Sequence, residues 1–185
     1  MAFFLFDFKD TGKQDARALL SSLIVQLSNQ SDDFYDVLAR FYSDHQHGTQ
    51  QPSIRALTQC LEDILKVSEE LPIYLIIDAL DECPNTTGIL SPRDEVLTLV
   101  EGLVDLNLPH LHICVTSRPE IDIRTSIEPL TSPPNSISLH DESGQKKDIV
   151  DFVRSVVNSD KRIRRWREED KHLVIDTLSE KADGM

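Results

Sequence analysis

Apolar and polar positions along the chain alternate between two periods. Residues 2–8 form a nearly unbroken aromatic and aliphatic run, and residues 73–77 and 111–116 form two more, each of strand length. Between these runs the apolar spacing lengthens to the helical period. Residues 13–30 carry Leu19, Leu20, Leu23, Ile24 and Leu27 on one stripe. Ser31 is placed to cap a second helix bearing Phe34, Val37, Leu38 and Phe41, and residues 53–68 repeat the pattern through Ile54, Leu57, Leu61, Ile64 and Leu65. Ser91-Pro92 marks another helix start, with a capping hydroxyl and a proline at the first helical position. Asp94 and Glu95 suit the positive end of that helix, whose apolar face is Val96, Leu97, Val100, Leu103 and Val104.

Further along, residues 121–127 predict a short helix before a proline-rich turn, and residues 135–139 alternate like a short final strand. Residues 141–158 predict a helix with Ile149, Phe152, Val153, Val156 and Val157 inward. Residues 168–182 predict a last one built on Leu173, Val174, Thr177 and Leu178. Strands separated by helices predict a parallel α/β sheet. The unbroken run 73–77 reads as a strand buried on both faces. In such sheets ligands sit beyond the carboxyl ends of the strands.

One of those ends is chemically distinctive. The run 73–77 stops at Asp78, and Asp81 and Glu82 follow at once. Crowded carboxylates repel one another unless a cation or solvent relieves them. After the next run comes Thr116-Ser117-Arg118-Pro119-Glu120. Simple structural roles exist for each of these residues. Asp78 can be a turn residue, Asp81 and Glu82 a solvated loop or helix cap, and Arg118 a bridge to the acids.

Apolar strand, Asp, small residue, apolar residue, Asp, Glu resembles the Walker B element of P-loop NTPases in its NACHT (STAND class) form, with Ala79 as the small residue. Thr116 to Pro119 resembles that family's sensor 1 turn, and the likeness extends over most of the chain. It is nearest to NACHT modules of fungal NLR-like and ankyrin-repeat proteins, often labelled nephrocystin-like N-terminal domains. The resemblance implies a partial three-layer P-loop NTPase sandwich, with a mostly parallel sheet and helices on both faces. Residues 1–140 would hold the core and residues 141–185 a truncated helical extension. It also implies that Asp78 holds Mg²⁺ through water and that Asp81 and Glu82 orient the attacking water. Arg118 would sense the γ-phosphate of ATP or GTP, with Thr116 and Ser117 shaping its turn.

Walker A is missing. A phosphate loop needs Gly-x-x-x-x-Gly-Lys-Ser/Thr, whereas the one Gly-Lys pair, Gly12-Lys13, is followed by Gln14 and reads as a turn. In the family this loop precedes the strand that begins at Ala2, so it is expected upstream of Met1, and the end at Gly184-Met185 reads as a cut edge. The family sheet runs 5-1-4-3-2. Without strand 1, the runs 2–8, 73–77 and 111–116 pair as strands 2-3-4. The last run keeps an apolar, unpaired edge suited to a partner segment or to self-association, unless residues 135–139 shift onto it.

The 185 residues suffice for one domain with a core. A net charge of −13, from 32 acidic and 19 basic residues, disfavours a general nucleic-acid surface. The basic stretch Lys161 to Arg167 is answered by Glu168, Glu169 and Asp170 and reads as a solvated helix start, with a patch for nucleic acid or anionic lipid as the rival reading. Cys60, Cys83 and Cys114 lack metal-ligand spacing and fit free thiols of a reducing compartment. His45/His47 and His110/His112 lack a third ligand partner. No signal peptide or membrane span is legible, so a cytoplasmic protein without membrane or nucleic-acid partners is expected.

Three functions follow. The chain is a NACHT remnant that does not bind ATP tightly alone and serves as an interaction or regulatory module. Alternatively, it is a nucleotide switch completed by a P-loop from elsewhere. More distantly, it is a metal-dependent phosphohydrolase drawing also on Asp7 and Asp10.

Overall fold

The computed structural model describes the chain except residues 69–70, 87–89, 133–134, 139–142, 164 and 182–185. The chain divides into two compact units, Met1–Thr131 and Ser132–Met185.

In the first unit, β1 (Ala2–Leu5), β2 (Ile73–Asp78) and β3 (Leu111–Val115) form a parallel sheet in the order β1-β2-β3. The register sets Leu5 opposite Asp78 and Ile77 opposite Val115, so all three strands end together. Helices α1 (Ala16–Ser28), α2 (Asp32–Asp44) and α3 (Ile54–Val67) connect β1 to β2, and α4 (Pro92–Asp105) connects β2 to β3. The short α5 (Ile121–Ile127) follows β3 and packs against α4. Local chemistry fixes the helix starts. Asp15 accepts from Ala18 N at 2.8 Å and Ser53 from Ala56 N at 3.1 Å. Ser91 and Asp94 form a reciprocal capping box on α4. Those bonds hold the Asp94 carboxyl below its ordinary range, the backbone bond at Ser91 acting most strongly. Ser31 occupies the cap position of α2 without a side-chain bond.

Helix α1 packs on β1 and contacts α2, α3 and α4, while α3 buries Leu57, Cys60, Leu61, Ile64 and Leu65 along one stripe. Each such leucine removes enough apolar surface from water to stabilise the fold by about 2 kcal/mol. Burial along the strands alternates. Ala2, Phe4, Ile73, Leu75 and Ile77 face the helices, whereas Phe3, Leu5 and Tyr74 are exposed. Strand β2 is therefore covered on one face, not on both as its unbroken apolar run suggests, and the expected second helical layer is absent from this unit's described residues. The reason is that α1 packs on β1, α3 and α4 pack against α1, and α5 leans on α4, so the helices gather on one side.

The two edges of the sheet differ. At β1, Gln26 of α1 accepts from Phe3 N at 3.1 Å and donates to Phe3 O at 2.7 Å. Gln30 similarly accepts from the Met1 amine and donates to Met1 O. These side-chain amides occupy backbone groups that another strand would use. At β3 no described residue pairs with the outer edge.

Beyond β2 the chain enters the left-handed region at Ala79 (φ +55°), then forms a 3₁₀ turn, Leu80–Glu82, anchored by the fully buried Leu80. The pair Gly12-Lys13 forms another 3₁₀ turn, capped by Asp10.

The second unit contains α6 (Ser143–Ser159) and α7 (Glu168–Lys181), packed on each other. Val157 and Ile175 are buried, but Phe152, Val156, Leu173 and Leu178 are exposed, contrary to the inward faces expected for them. Two helices can cover only one stripe of each other. Residues 136–138 are irregular rather than strand, with Ile137 exposed. Leu139, Asp141 and Ala182 of the expected elements lie outside the described residues. No helix among the described residues is long and apolar enough to cross a membrane.

Cys60 and Cys83 are buried and Cys114 is exposed. Burial first, with Asp63 adding, pushes the Cys60 thiol up to about 11. Burial likewise pushes Cys83 to about 12, assisted by Asp15 and Glu95 and opposed by Arg93. Stability linked to these neutral thiols is complete below their unfolded value and is lost as pH rises through 11 to 12. A thiol titration with dithionitrobenzoate at pH 8 is expected to modify Cys114 alone in the folded protein, and all three cysteines only after unfolding. For the Ala79 turn, Ala79→Val is expected to destabilise by about 1–2 kcal/mol and Ala79→Gly to be neutral or stabilising, as read from urea unfolding midpoints.

Candidate functional site

Strands β2 and β3 remain joined past the end of their ladder. Thr116 N donates to Ile77 O at 2.9 Å, and Leu80 N donates to Thr116 O at 3.0 Å. The Thr116 hydroxyl accepts from Ala79 N at 3.1 Å and donates to Asp78 Oδ1. One residue thus satisfies the backbone of the left-handed turn and orients the carboxylate that ends β2.

The 3₁₀ turn carries the other two acids to different partners. Asp81 accepts from Arg118 N at 3.0 Å, and its other oxygen lies 3.4 Å from Arg118 Nε. The Asp81 side chain is 10% exposed and that of Arg118 80%, so the carboxylate is fixed while most of the guanidinium faces solvent. Glu82 accepts from Phe8 N at 3.1 Å, which ties the turn to the chain just beyond β1. Ser117 is exposed and makes no hydrogen bond to a described residue. A cavity of about 380 Å³ opens here, walled in part by Phe8, Gln14, Glu82, Arg93 and Arg118. Asp78 lies outside its walls.

Asp78, Asp81, Glu82, Thr116 and Arg118 therefore gather at the carboxyl ends of adjacent strands. Their contacts couple Asp78 to Thr116 and Asp81 to Arg118. Among the described residues no three His, Cys, Asp or Glu side chains converge tightly enough to hold a metal. The donor set is nonetheless compatible with Mg²⁺ that arrives with a phosphate. Such an ion keeps several waters and uses one or two protein carboxylates. Asp78 is exposed, and Thr116 engages only its Oδ1. Asp7 and Asp10 are occupied locally: Asp7 accepts from Lys9 N and Asp10 from Gly12 N.

Arg93 is the residue that motif reading misses. Its side chain is only 5% exposed. Nε donates to Cys83 O at 2.9 Å and Nη2 to Asp81 O at 2.6 Å, while Nη1 bonds Glu120 and lies 3.1 Å from Asp122. Burial works against its charge, but the bonds and charges of Glu120 and Asp122 outweigh that, and its pKa is raised. The sequence did hold a signal. Arg93 occupies the same helical stripe as Val96, Leu97 and Val100, where a charged residue requires buried partners.

Residues 1–118 match a family model described as Nephrocystin 3, N-terminal, which covers more than half of the chain. No curated protein and no solved structure matches. With β1, β2, β3 and the Asp81–Glu82 turn inside the matched segment, and Arg118 at its limit, the chain belongs to the nephrocystin 3 N-terminal family.

Proposed function

We propose that this chain is the Walker B and sensor 1 half of a NACHT-type P-loop NTPase module. By itself it does not bind ATP tightly, and it acts as an interaction or regulatory module. The observation behind this reading is the pairing of Asp78 with Thr116 and of Asp81 with Arg118 at the ends of adjacent parallel strands. Asp81 already pairs with Arg118, and Glu82 accepts from a backbone amide, so both acids have partners without nucleotide. The sequence contains no phosphate-loop motif to supply the backbone donors and lysine that dominate triphosphate binding.

The open edge of β3 favours a second reading, a nucleotide switch completed by a P-loop from another segment or chain. A strand carrying that loop would find the β1 edge blocked by Gln26 and Gln30 and the β3 edge free among the described residues. In parallel register with Leu111–Val115, its carboxyl end would arrive beside Thr116. Asp78 would then hold Mg²⁺ through water, and the ion would neutralise charge on the phosphates. Asp81 and Glu82 would position a water. The exposed guanidinium of Arg118 would exchange Asp81 for phosphate oxygens, to which its planar fork is matched. Arg118 thus has a resting partner and a working partner.

Titration of the isolated chain with a fluorescent ATP analogue and Mg²⁺ is expected to show no saturation below about 1 mM, consistent with loss of the phosphate loop's contribution. Micromolar binding abolished by Asp78→Ala would overturn the first reading and establish an autonomous site.

A further inference from the structure

We propose that Arg93 is a positioning residue that holds the acidic turn and the Arg118 turn in one fixed relation. This deepens the reading above, on which it relies only for naming Asp81, Glu82 and Arg118 as the working groups. The two turns come from distant parts of the sequence and touch directly through Asp81 and Arg118, a contact mostly open to water on the arginine side. A pair that open to solvent is weak and does not by itself fix two loops.

Thr116 ties the strand ends as far as Leu80, and the buried guanidinium adds the constraint beyond that point. On one side it donates to the carbonyls of Asp81 and Cys83, which bracket Glu82. On the other it bonds Glu120 and Asp122, which flank the start of α5 just after the Arg118 turn. A planar fork with donors in several fixed directions suits this role, whereas a lysine ammonium offers a single point of attachment. Arg93 itself is held by the first turn of α4, where Ser91 and Asp94 fix the backbone and Arg93 N donates to Pro84 O at 3.2 Å. Helix α4 is thus the fixed body, and both turns are mounted on it through one side chain. Arg93 reaches neither Asp78 nor the Arg118 guanidinium in any hydrogen bond among the described residues, so it acts on the site through the two turns.

Two backbone amides report on the arrangement without any nucleotide. Arg118 N–H donates to Asp81, and Phe8 N–H donates to Glu82, so each is protected only while its acid is in place. Amide hydrogen exchange of the intact chain is therefore the test, comparing wild type with Arg93→Lys and Arg93→Gln and using the amide of Ile76, in the central strand, as reference. Exchange at Arg118 and Phe8 is expected to accelerate about 10-fold or more relative to Ile76, because only local opening changes. Arg124→Gln, which removes an exposed pair with Glu128, is expected to leave all three amides unchanged. Should both Arg93 variants fail to fold, the double variant Glu120→Gln/Asp122→Asn is expected to release the Arg118 amide selectively. Exchange that rises in parallel at all three amides, or not at all, would overturn the proposal. Nucleotide binding enters none of these measurements, so they stand or fall separately from the NTPase reading.

Discussion

Thr116 is the fastening on which the site depends. Parallel strands have no turn to join their ends, so their carboxyl-terminal segments diverge unless something holds them. Here the backbone of Thr116 continues the ladder to Ile77 and Leu80, and its hydroxyl spans Ala79 N and Asp78. The left-handed conformation at Ala79 costs on the order of 1 kcal/mol, and the Thr116 bonds satisfy the backbone N–H groups of Ala79 and Leu80 in that conformation. That conformation turns the chain sharply enough to place Asp81 beside the Arg118 turn and Glu82 beside Phe8. The small residue between the two aspartates is therefore a conformational requirement as much as a motif feature.

The sheet around this fastening is one-sided. The helical layer led by α1 buries one face and leaves Phe3, Leu5 and Tyr74 in water, although parallel sheets are ordinarily covered on both sides. The edges are equally unequal. Gln26 and Gln30 imitate a neighbouring strand at β1, while Leu111–Val115 carries no charge or proline that would discourage pairing at β3. Fold and site thus point the same way, since the face and edge left open adjoin the strand that leads to Thr116.

Much of this was legible in the sequence. Unbroken apolar runs located β2 and β3, stripes at helical spacing located α1 to α4, and the Asp78 to Glu82 and Thr116 to Arg118 segments lie side by side, as the strand order taken from the family resemblance implies. The one-sidedness of β2 was hidden because Tyr74 and Ile76, on its uncovered face, are as apolar as the residues on the covered one. Alternation at residues 135–139 looked like a strand, yet Ile137 is exposed, and one apolar side chain gives too little burial to hold an extended segment in place. Arg93 was hidden for a different reason. Motifs report groups that face a ligand, whereas Arg93 faces the protein, and its partners lie 27 and 29 residues away at Glu120 and Asp122.

The most direct measurement is a double-mutant cycle between Thr116 and Asp78, using Thr116→Val, Asp78→Ala and the combination, with unfolding free energies from urea titration. A hydroxyl donating to a charged carboxylate predicts a coupling of about 1–2 kcal/mol, with each single variant nearly as costly as the double. Additive effects, with coupling near zero, would mean that Thr116 does not hold Asp78 and that the strand ends are fastened in some other way.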